Sequence, residues 1–302
     1  MDKKTLKDMK IGVLLGGKSS ERGISLKSGD AVLASLLRSG YRAVAIDAKA
    51  GLAGKLKKEK IGVAYIVLHG RWGEDGTVQG LLEMMGIPYT GPGVLGSAAA
   101  MDKAVMKFIL EAKGIPTPAY AIASAGSRIK LKPPFVVKPA NEGSTIGISL
   151  VNKKAEIPAA MEEALKYDRK IVIEEFISGQ EITVAVVNGR PLPVVEVRPL
   201  KGFYDFEAKY TKGMTRYIVP AQIPGTLAKK AQAVAMDVCD SFDLTGCVRI
   251  DMLIMDKVPL VIDINTSPGM TETSLVPKAW IYEGGTFDSL VEEILAGASL
   301  KT

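Results

Sequence analysis

Two acidic side chains near the carboxyl end of the chain, Asp251 and Asp263, have a spacing that could serve phosphate chemistry. Each lies in a run rich in β-branched and long apolar residues, Val248–Met255 and Val258–Ile264, and only two residues separate the runs. This pattern predicts antiparallel strands joined by a short hairpin turn. Because the two aspartates stand at nearly equal distances from the turn, strand pairing would bring their carboxylates together.

Two further polar side chains share these strand faces. Side chains alternate along a strand, so Arg249 lies on the face of Asp251 and Asn265 on the face of Asp263. Neighbouring carboxylates repel and raise each other's pKa, a cost that a divalent cation removes. Oxygen ligands without thiolate or imidazole favour Mg²⁺. The alternative is a set of solvated residues on an open sheet face, and these residues alone leave both interpretations standing.

Two polar loops follow predicted strands in the first third of the chain. The loop at residues 16–22, GGKSSER, lies between a strand and a helix. Its Glu21 could hold a substrate ammonium group or only favour the helix dipole. The loop at residues 69–76, HGRWGEDG, follows a buried strand, and ligands bind at such strand ends in open parallel sheets. His69 is therefore either a ligand contact or a hydrogen-bonded loop residue.

A third glycine-rich loop, residues 141–147, joins two predicted strands and follows Lys138 closely. Its backbone N–H groups and hydroxyls could cradle phosphate. It lacks the P-loop pattern and no helix follows it, so it is either a different phosphate loop or an ordinary hairpin. Lys103, in a helix predicted over residues 101–112, would by itself be a solvated helix charge.

The middle of the chain carries groups that suit a nucleotide base and ribose. Glu174 and Glu175 point to opposite faces of a predicted strand, and a carboxylate at a strand edge can accept from an adenine amino group. Glu181, at the start of the next strand, could hold ribose hydroxyls, although each carboxylate alone could also simply face solvent. An aromatic stretch at residues 202–210 is predicted to be a loop, either a lid over a ligand or a partner contact.

Composition narrows the class of protein. The 302 residues are 47% hydrophobic and 24% charged, as in a globular protein of two or three domains. We expect neither a transmembrane helix nor a secretory signal. His69 is the single histidine, which disfavours histidine-rich metal sites, and Cys239 and Cys247 are expected to be reduced core residues. The net charge of +6 is scattered, so nucleic acid is not an expected partner, whereas anionic small molecules fit.

Eight segments together resemble the D-alanine–D-alanine ligase family of the ATP-grasp superfamily, over Ile11 to about Ala296. The resemblance implies an α/β protein, α+β in its ATP-binding part, with a three-domain ATP-grasp fold. The implied domains are an N-terminal parallel-sheet domain (1–96), a central domain (97–185) and a C-terminal domain (186–302). The segments are GGKSSERGISL (16–26), LHGRWGEDGTVQG (68–80), YTGPG (89–93), MDK (101–103), VKPANEGSTIGIS (137–149), FYDFEAKY (203–210), RIDM (249–252) and NTSPGMTETSL (265–275).

The resemblance also implies a cytoplasmic enzyme of peptidoglycan precursor synthesis, a homodimer, that joins two D-alanines with ATP through an acyl phosphate. Its residues would form five groups. Two Mg²⁺ ions, with Mn²⁺ as a substitute, would bind Asp251, Asp263 and Asn265. ATP would contact Lys103, Lys138, Glu174, Glu175, Ile177, Glu181, Phe203 and Lys209. Glu21, His69, Ser274 and Leu275 would bind D-alanine. Arg249 and Gly269 would stabilise the oxyanion, and Ser144 and Tyr210 would bond to Glu21 and tie a lid shut.

One residue departs from the family pattern and another bears on specificity. The family usually has Glu where this chain has Asp263, one methylene shorter, so a metal could bridge differently, although the carboxylate survives. Relatives that make depsipeptides with D-lactate replace the tyrosine at position 210, so Tyr210 favours an amine acceptor.

Three other functions remain open from the sequence. Another ATP-grasp ligase could join a different carboxylate to an amine, although Glu21, Tyr210 and Ser274 favour D-alanine. A nucleotide-binding regulator without chemistry would have little use for Arg249 beside Asp251. A nucleic-acid-binding protein would rest on the basic charge alone.

Overall fold

The N-terminal part of the chain forms a three-stranded parallel sheet flanked by helices. The computed structural model describes residues 1–143, 146–199, 215–271 and 273–301. The sheet has the order β2-β1-β3, and the strands β1 and β3 are short buried apolar runs, as strands covered on both faces require, whereas the edge strand β2 is partly exposed. Its elements are α1 (Lys3–Asp8), β1 (Lys10–Leu15), α2 (Arg22–Arg38), β2 (Arg42–Asp47), α3 (Leu52–Lys58), β3 (Val63–Ile66) and α4 (Thr77–Met85).

A four-stranded antiparallel sheet occupies the middle of the chain. Its order is β4-β7-β5-β6, and one helix packs on it through small and branched side chains such as Ala160 and Ala164. Two helices lead into it. The elements are α5 (Val94–Met101), α6 (Lys103–Ala112), β4 (Tyr120–Ala123), β5 (Phe135–Pro139), β6 (Ser149–Val151), α7 (Ile157–Leu165) and β7 (Ile171–Glu175).

A larger antiparallel sheet carries the two aspartate strands. Its main order is β11-β10-β8-β12-β13, with β9 paired to β8. The predicted hairpin is confirmed, with a turn at Asp256 and Lys257, both at positive φ. The elements are β8 (Gln180–Val187), β9 (Arg190–Pro191), β10 (Val195–Pro199), β11 (Thr215–Ile218), α8 (Gly225–Ser241), β12 (Cys247–Met255), β13 (Val258–Asn265), α9 (Leu275–Tyr282) and α10 (Phe287–Ala296).

Two expectations about element boundaries need correction. The helix expected over residues 101–112 is broken, because Asp102 is extended and its side chain accepts from the N–H groups of Ala104 and Val105. Asp102 is thus the N-cap of α6, and Lys103 is the first residue of that helix. The domain boundary expected after residue 185 lies inside β8, a strand of the C-terminal sheet, so sheet membership puts that boundary before Gln180.

The first and last parts of the chain share one hydrophobic core. Leu36 of α2 and Val63 of β3 pack in the same buried cluster as Leu290 of α10. A backbone bridge between Tyr89 and Ser299 adds to this contact. The C-terminal helices therefore fix the N-terminal sheet beside the hairpin that carries the aspartates. In the part of the chain that the structure describes, every helix is too short or too polar to cross a bilayer.

Candidate active site

A cleft of about 860 Å³ lies between the central and C-terminal sheets. Apolar side chains such as Val136, Leu150 and Leu253 line the cleft together with charged side chains. A cleft of this size and mixed lining is typical of a small-molecule site. Eight of the predicted site residues line it: Lys103, Lys138, Glu174, Glu175, Ile177, Glu181, Asp251 and Asp263.

The hairpin brings its polar residues together as the alternation of strand faces predicts. Asp251 is paired directly with Asp263, and Arg249 with Asn265, in the antiparallel register of β12 and β13. The register shifts immediately after Asp251, which marks a bulge in the hairpin. Bulges re-aim side chains, and this one lies next to Asp251, which lines the cleft.

Hydrogen bonds hold Asp251 tightly. Arg249 donates to both of its oxygens, from Nε at 2.8 Å and from Nη2 at 2.7 Å. Thr183 on β8 donates its hydroxyl at 2.6 Å, and the Asn265 amide donates at 3.0 Å. Asp263 instead lies 3.3 Å from the ammonium of Lys103. The cations on either side compensate two carboxylates that would otherwise repel each other.

The donor set of this face fits a hard divalent cation. Two carboxylates and one amide stand on one face of a hairpin, and all their ligand atoms are oxygens. Thr183 and Arg249 fix the orientation of Asp251, as groups behind a metal ligand commonly do. The chemistry of these side chains therefore agrees with the magnesium site expected from the sequence, which stays a proposal.

The predicted ATP residues differ in their surroundings. Glu174 is buried and both of its oxygens accept from lysines, one from Lys138 and the other from Lys107. Glu175, on the opposite face of β7, is exposed at the cleft. Lys103 is buried and also donates to the Glu142 carbonyl at 3.0 Å. Two lysines, Lys103 and Lys138, thus line the cleft together with the proposed metal ligands Asp251 and Asp263.

The N-terminal loops contribute a second cluster beside the hairpin. His69 is buried, with Nδ1 2.8 Å from the Ser267 carbonyl, and burial lowers its pKa. Glu74 accepts from the N–H groups of Gly70 at 2.7 Å and Ser267 at 3.2 Å. Burial raises the pKa of Glu74 to about 8, with the charge of Glu21 adding to the rise. His69 and Glu74 thus tie the first domain to the segment after β13.

The predicted acceptor residues lie together at the start of α9. The Ser274 hydroxyl accepts from the Thr271 N–H at 3.0 Å, and Ser274 is the N-cap position of the helix that begins at Leu275. A Cβ at Gly269 would stand 3.0 Å from the Ser274 hydroxyl, so the two residues are neighbours. A helix N-terminus offers free N–H groups to an anion.

Four predicted residues, Ser144, Phe203, Lys209 and Tyr210, lie outside the described residues, and so does the whole aromatic stretch at residues 202–210. Three described residues at the site were not anticipated from the sequence: Glu74, Lys107 and Thr183. Thr183 faces Asp251 in the register of β8 and β12, and such a pairing becomes visible only when the strand order is known.

Two family models match this chain, and each includes a different part of the site. A model described as D-ala D-ala ligase C-terminus matches residues 108–296, and one described as D-ala D-ala ligase N-terminus matches residues 47–92. The first match includes the polar hairpin and the lining residues of the cleft other than Lys103. The second includes the loop that carries His69 and Glu74.

Similar proteins match over nearly their full length. The D-alanine–D-alanine ligase of Syntrophotalea carbinolica is 49% identical over 100% of both chains, and that of Geotalea uraniireducens is 46% identical over 98% of this chain and 97% of its own. A crystal structure of D-alanine–D-alanine ligase from Bacillus anthracis superposes with a TM-score of 0.87 at 35% identity, covering 96% of this chain and 97% of that one. The same enzyme complexed with ATP gives a TM-score of 0.85 at 32% identity over the same shares.

Proposed function

The chain belongs to the D-alanine–D-alanine ligase family, and from this premise we propose that it uses ATP to join two D-alanines for peptidoglycan precursor synthesis. The observation that carries the proposal is the hairpin face at the end of the 860 Å³ cleft, where Arg249, Asp251, Asp263 and Asn265 stand together. Charged groups of this kind beside a long cleft fit phosphoryl transfer, which depends on positioning and charge neutralisation.

ATP would lie along the cleft with its phosphates toward the hairpin. Lys103 and Lys138 supply positive charge at the phosphate end, with Lys209 as a further proposed contact. Glu174 or Glu175 would accept from the adenine amino group beside Ile177 and Phe203, and Glu181 would hold the ribose hydroxyls. The superposed ATP complex of the Bacillus anthracis enzyme supports nucleotide binding by this fold.

Two Mg²⁺ ions, or Mn²⁺ in their place, would bind Asp251, Asp263 and Asn265. Bound there, they would neutralise phosphate charge during transfer. Thr183 and Arg249 hold Asp251 in its present orientation. The ammonium of Lys103 lies 3.3 Å from Asp263. It would contact the phosphates instead once Asp263 binds a cation.

The reaction would proceed in two steps. The carboxylate of the first D-alanine attacks the γ-phosphorus of ATP, giving an acyl phosphate and ADP. The amine of the second D-alanine then attacks the acyl carbon, and the tetrahedral intermediate expels phosphate as the peptide bond forms. Arg249 and the backbone N–H of Gly269 would stabilise the developing oxyanion.

Binding of the amino acids would use both sides of the site. Glu21 would hold the ammonium of the first D-alanine near His69, with Ser144 and Tyr210 bonding to Glu21. Ser274 and the N–H of Leu275 would receive the carboxylate of the second D-alanine at the helix N-terminus. We also propose a homodimer and a cytoplasmic location, where Cys239 and Cys247 would stay reduced.

Substrate-dependent ADP release tests this function. We expect ADP and phosphate release from ATP to require D-alanine, with L-alanine inactive, and D-alanyl-D-alanine as the product by chromatography. Activity with an unrelated carboxylate and amine would indicate another ATP-grasp ligase, and ATP binding without turnover would indicate a regulator. With mixed D-alanine and D-lactate at neutral pH, mainly depsipeptide would refute the assigned acceptor.

A further inference from the structure

Lys107 is a buried cation just behind the nucleotide cleft. It lies one helical turn after Lys103 on α6, so both side chains point to the same side of the helix. Its side chain is 1% exposed, and among the described residues it does not line the cleft. A buried lysine needs a compensating partner, and here that partner is Glu174, which does line the cleft.

Lys107 also joins the two sheets that enclose the nucleotide. Its ammonium donates to the Thr117 hydroxyl, which donates in turn to the Val261 carbonyl on β13 at 2.7 Å. A backbone hydrogen bond joins the same two segments, since the Val261 N–H donates to the Pro116 carbonyl at 2.8 Å. Lys107 is thereby fixed by groups from α6, the central sheet and the C-terminal sheet at once.

Glu174 carries one negative charge and contacts two positively charged side chains. One carboxylate accepts from two ammonium groups, Lys107 through one oxygen and Lys138 through the other. Burial by itself raises the pKa of Glu174, but the two lysines together hold it below its ordinary value. Burial lowers the pKa of Lys107, and the charge of Lys138 acts in the same direction, whereas the charges of Glu174 and of Asp263 on β13 favour the charged ammonium.

The two lysines differ in what they can do when a nucleotide enters. Lys138 lines the cleft and can turn toward phosphate, which would remove one of the two partners of Glu174. Lys107 lies behind the carboxylate and is anchored to Thr117, so it would stay. Without Lys107, the departure of Lys138 would leave a buried carboxylate alone, and such a group takes up a proton.

We propose that Lys107 is a positioning residue that keeps Glu174 ionised and aimed into the cleft while Lys138 serves the phosphates, and thereby sets the preference for a 6-amino purine. This inference rests on the proposed use of ATP. An ionised carboxylate accepts a hydrogen bond from the amino group of adenine and repels the carbonyl oxygen that inosine carries at the same position. A protonated carboxylic acid would lose that discrimination.

Lys107→Met tests the proposal, with ATP and inosine triphosphate as the two substrates. We expect the ratio of kcat/KM for ATP to that for inosine triphosphate to fall about tenfold at pH 6.5, mainly through a higher KM for ATP. The ratio should recover as the pH rises from 6.5 to 8 and Glu174 ionises, whereas in the unaltered protein it should be flat over this range. The range ends at pH 8 because the N1–H of hypoxanthine, which adenine lacks, ionises at higher pH. Protein groups remote from the purine act on both nucleotides and cancel in the ratio.

Lys113→Met is the matched control, since Lys113 is exposed at the end of the same helix. It should leave the ratio and its pH profile unchanged. If Lys107→Met lowers only the melting temperature while the ratio stays at its original value, Lys107 is merely structural and the inference is overturned. Absence of D-alanine-dependent turnover in the unaltered protein would instead overturn the proposed function, so the two failures are distinguishable.

Thr117→Val provides a milder variant should Lys107→Met fail to fold. Valine has the shape of threonine, so the change removes the hydroxyl that anchors Lys107 while the lysine remains. We expect a smaller fall in the same ratio, about threefold, with the same recovery at high pH. An unchanged ratio in folded Thr117→Val protein would contradict the anchoring on which the inference depends.

Discussion

The guanidinium of Arg249 donates a hydrogen bond to each oxygen of Asp251, from Nε to Oδ1 at 2.8 Å and from Nη2 to Oδ2 at 2.7 Å. A bidentate pair of this kind fixes the orientation of both side chains. In the proposed reaction these residues have different tasks, the arginine at the oxyanion and the aspartate at magnesium. Because the two side chains hold each other, a substitution of either residue would also displace the other. The informative substitutions are therefore those that leave this pair intact.

Asp263→Asn is the first such substitution. The change removes one anionic ligand of the proposed metal face and leaves Lys103 without its carboxylate, 3.3 Å away. We expect D-alanine-dependent ADP release to fall at least about a hundredfold, because the one remaining carboxylate would hold the cations that neutralise the phosphates less tightly. Asp256→Asn, at the exposed hairpin turn, is the control and should keep full activity. A rate for Asp263→Asn near that of the control would remove Asp263 from the site.

Thr183→Val should weaken magnesium binding without disturbing the ligands themselves. The Thr183 hydroxyl donates to Asp251 at 2.6 Å, and groups behind a metal ligand commonly contribute about tenfold or more to affinity. We expect the Mg²⁺ concentration for half-maximal turnover to rise about tenfold, with the rate restored at saturating Mg²⁺. Thr226→Val, at an exposed position in α8, should leave the requirement unchanged. A loss that excess Mg²⁺ does not restore would contradict this role.

The sequence was sufficient for the elements whose pattern is local. The hairpin turn follows from two apolar runs two residues apart, and strand alternation placed Arg249 and Asp251 on one face. The break of the helix at Asp102 was missed, because its apolar pattern continues through that residue while the side chain caps the next helix. Capping by a single aspartate is a weak signal when helical spacing runs past it.

Contacts between distant segments could not be predicted in the same way. Lys107 has the same helical spacing from Lys103 that any solvated pair of lysines has, and only the position of β7 shows that it is buried against Glu174. Glu74 lies in a polar loop, and its two N–H donors come from segments nearly 200 residues apart in sequence. Such interactions depend on how the sheets pack together, which a single sequence does not encode locally.

Glu74 should make stability fall as the pH rises. Burial raises its pKa to about 8 from 4.5, so between these values the folded protein holds a proton that the unfolded chain has released. Its contribution to the free energy of unfolding is complete below pH 4.5 and lost as pH rises through 8. The slope for one proton is up to about 1.4 kcal/mol per pH unit.

Urea unfolding of Glu74→Gln against the unaltered protein measures this contribution. Glutamine does not titrate. The free energy of unfolding of the variant, minus that of the unaltered protein, should therefore increase as the pH rises from 5 to 8. His69 has a lowered pKa and acts in both proteins, so it cancels in the difference. Parallel pH profiles for the two proteins would show that Glu74 is ionised in the folded state at pH 5.

Gly143→Ala should weaken binding of the first D-alanine. A Cβ at Gly143 would stand 2.8 Å from Oε2 of Glu21, closer than such contacts allow, so Glu21 or the loop that begins at Asn141 must move. Glu21 is the proposed partner of the substrate ammonium, and a misplaced charge binds it less well. We expect the KM for D-alanine at the first site to rise about tenfold while the KM for ATP changes little, measured by ADP release at saturating ATP.

The control for this change is Gly54→Ala in α3, where an added Cβ meets no atom within 4 Å. Alanine favours a helix over glycine by about 0.5–1 kcal/mol, so this variant should be slightly more stable and fully active. Equal effects of Gly143→Ala on D-alanine and ATP would point to general damage of the loop. An unchanged KM for D-alanine would show that Glu21 can shift without loss, and would argue against Glu21 as the group that fixes the ammonium.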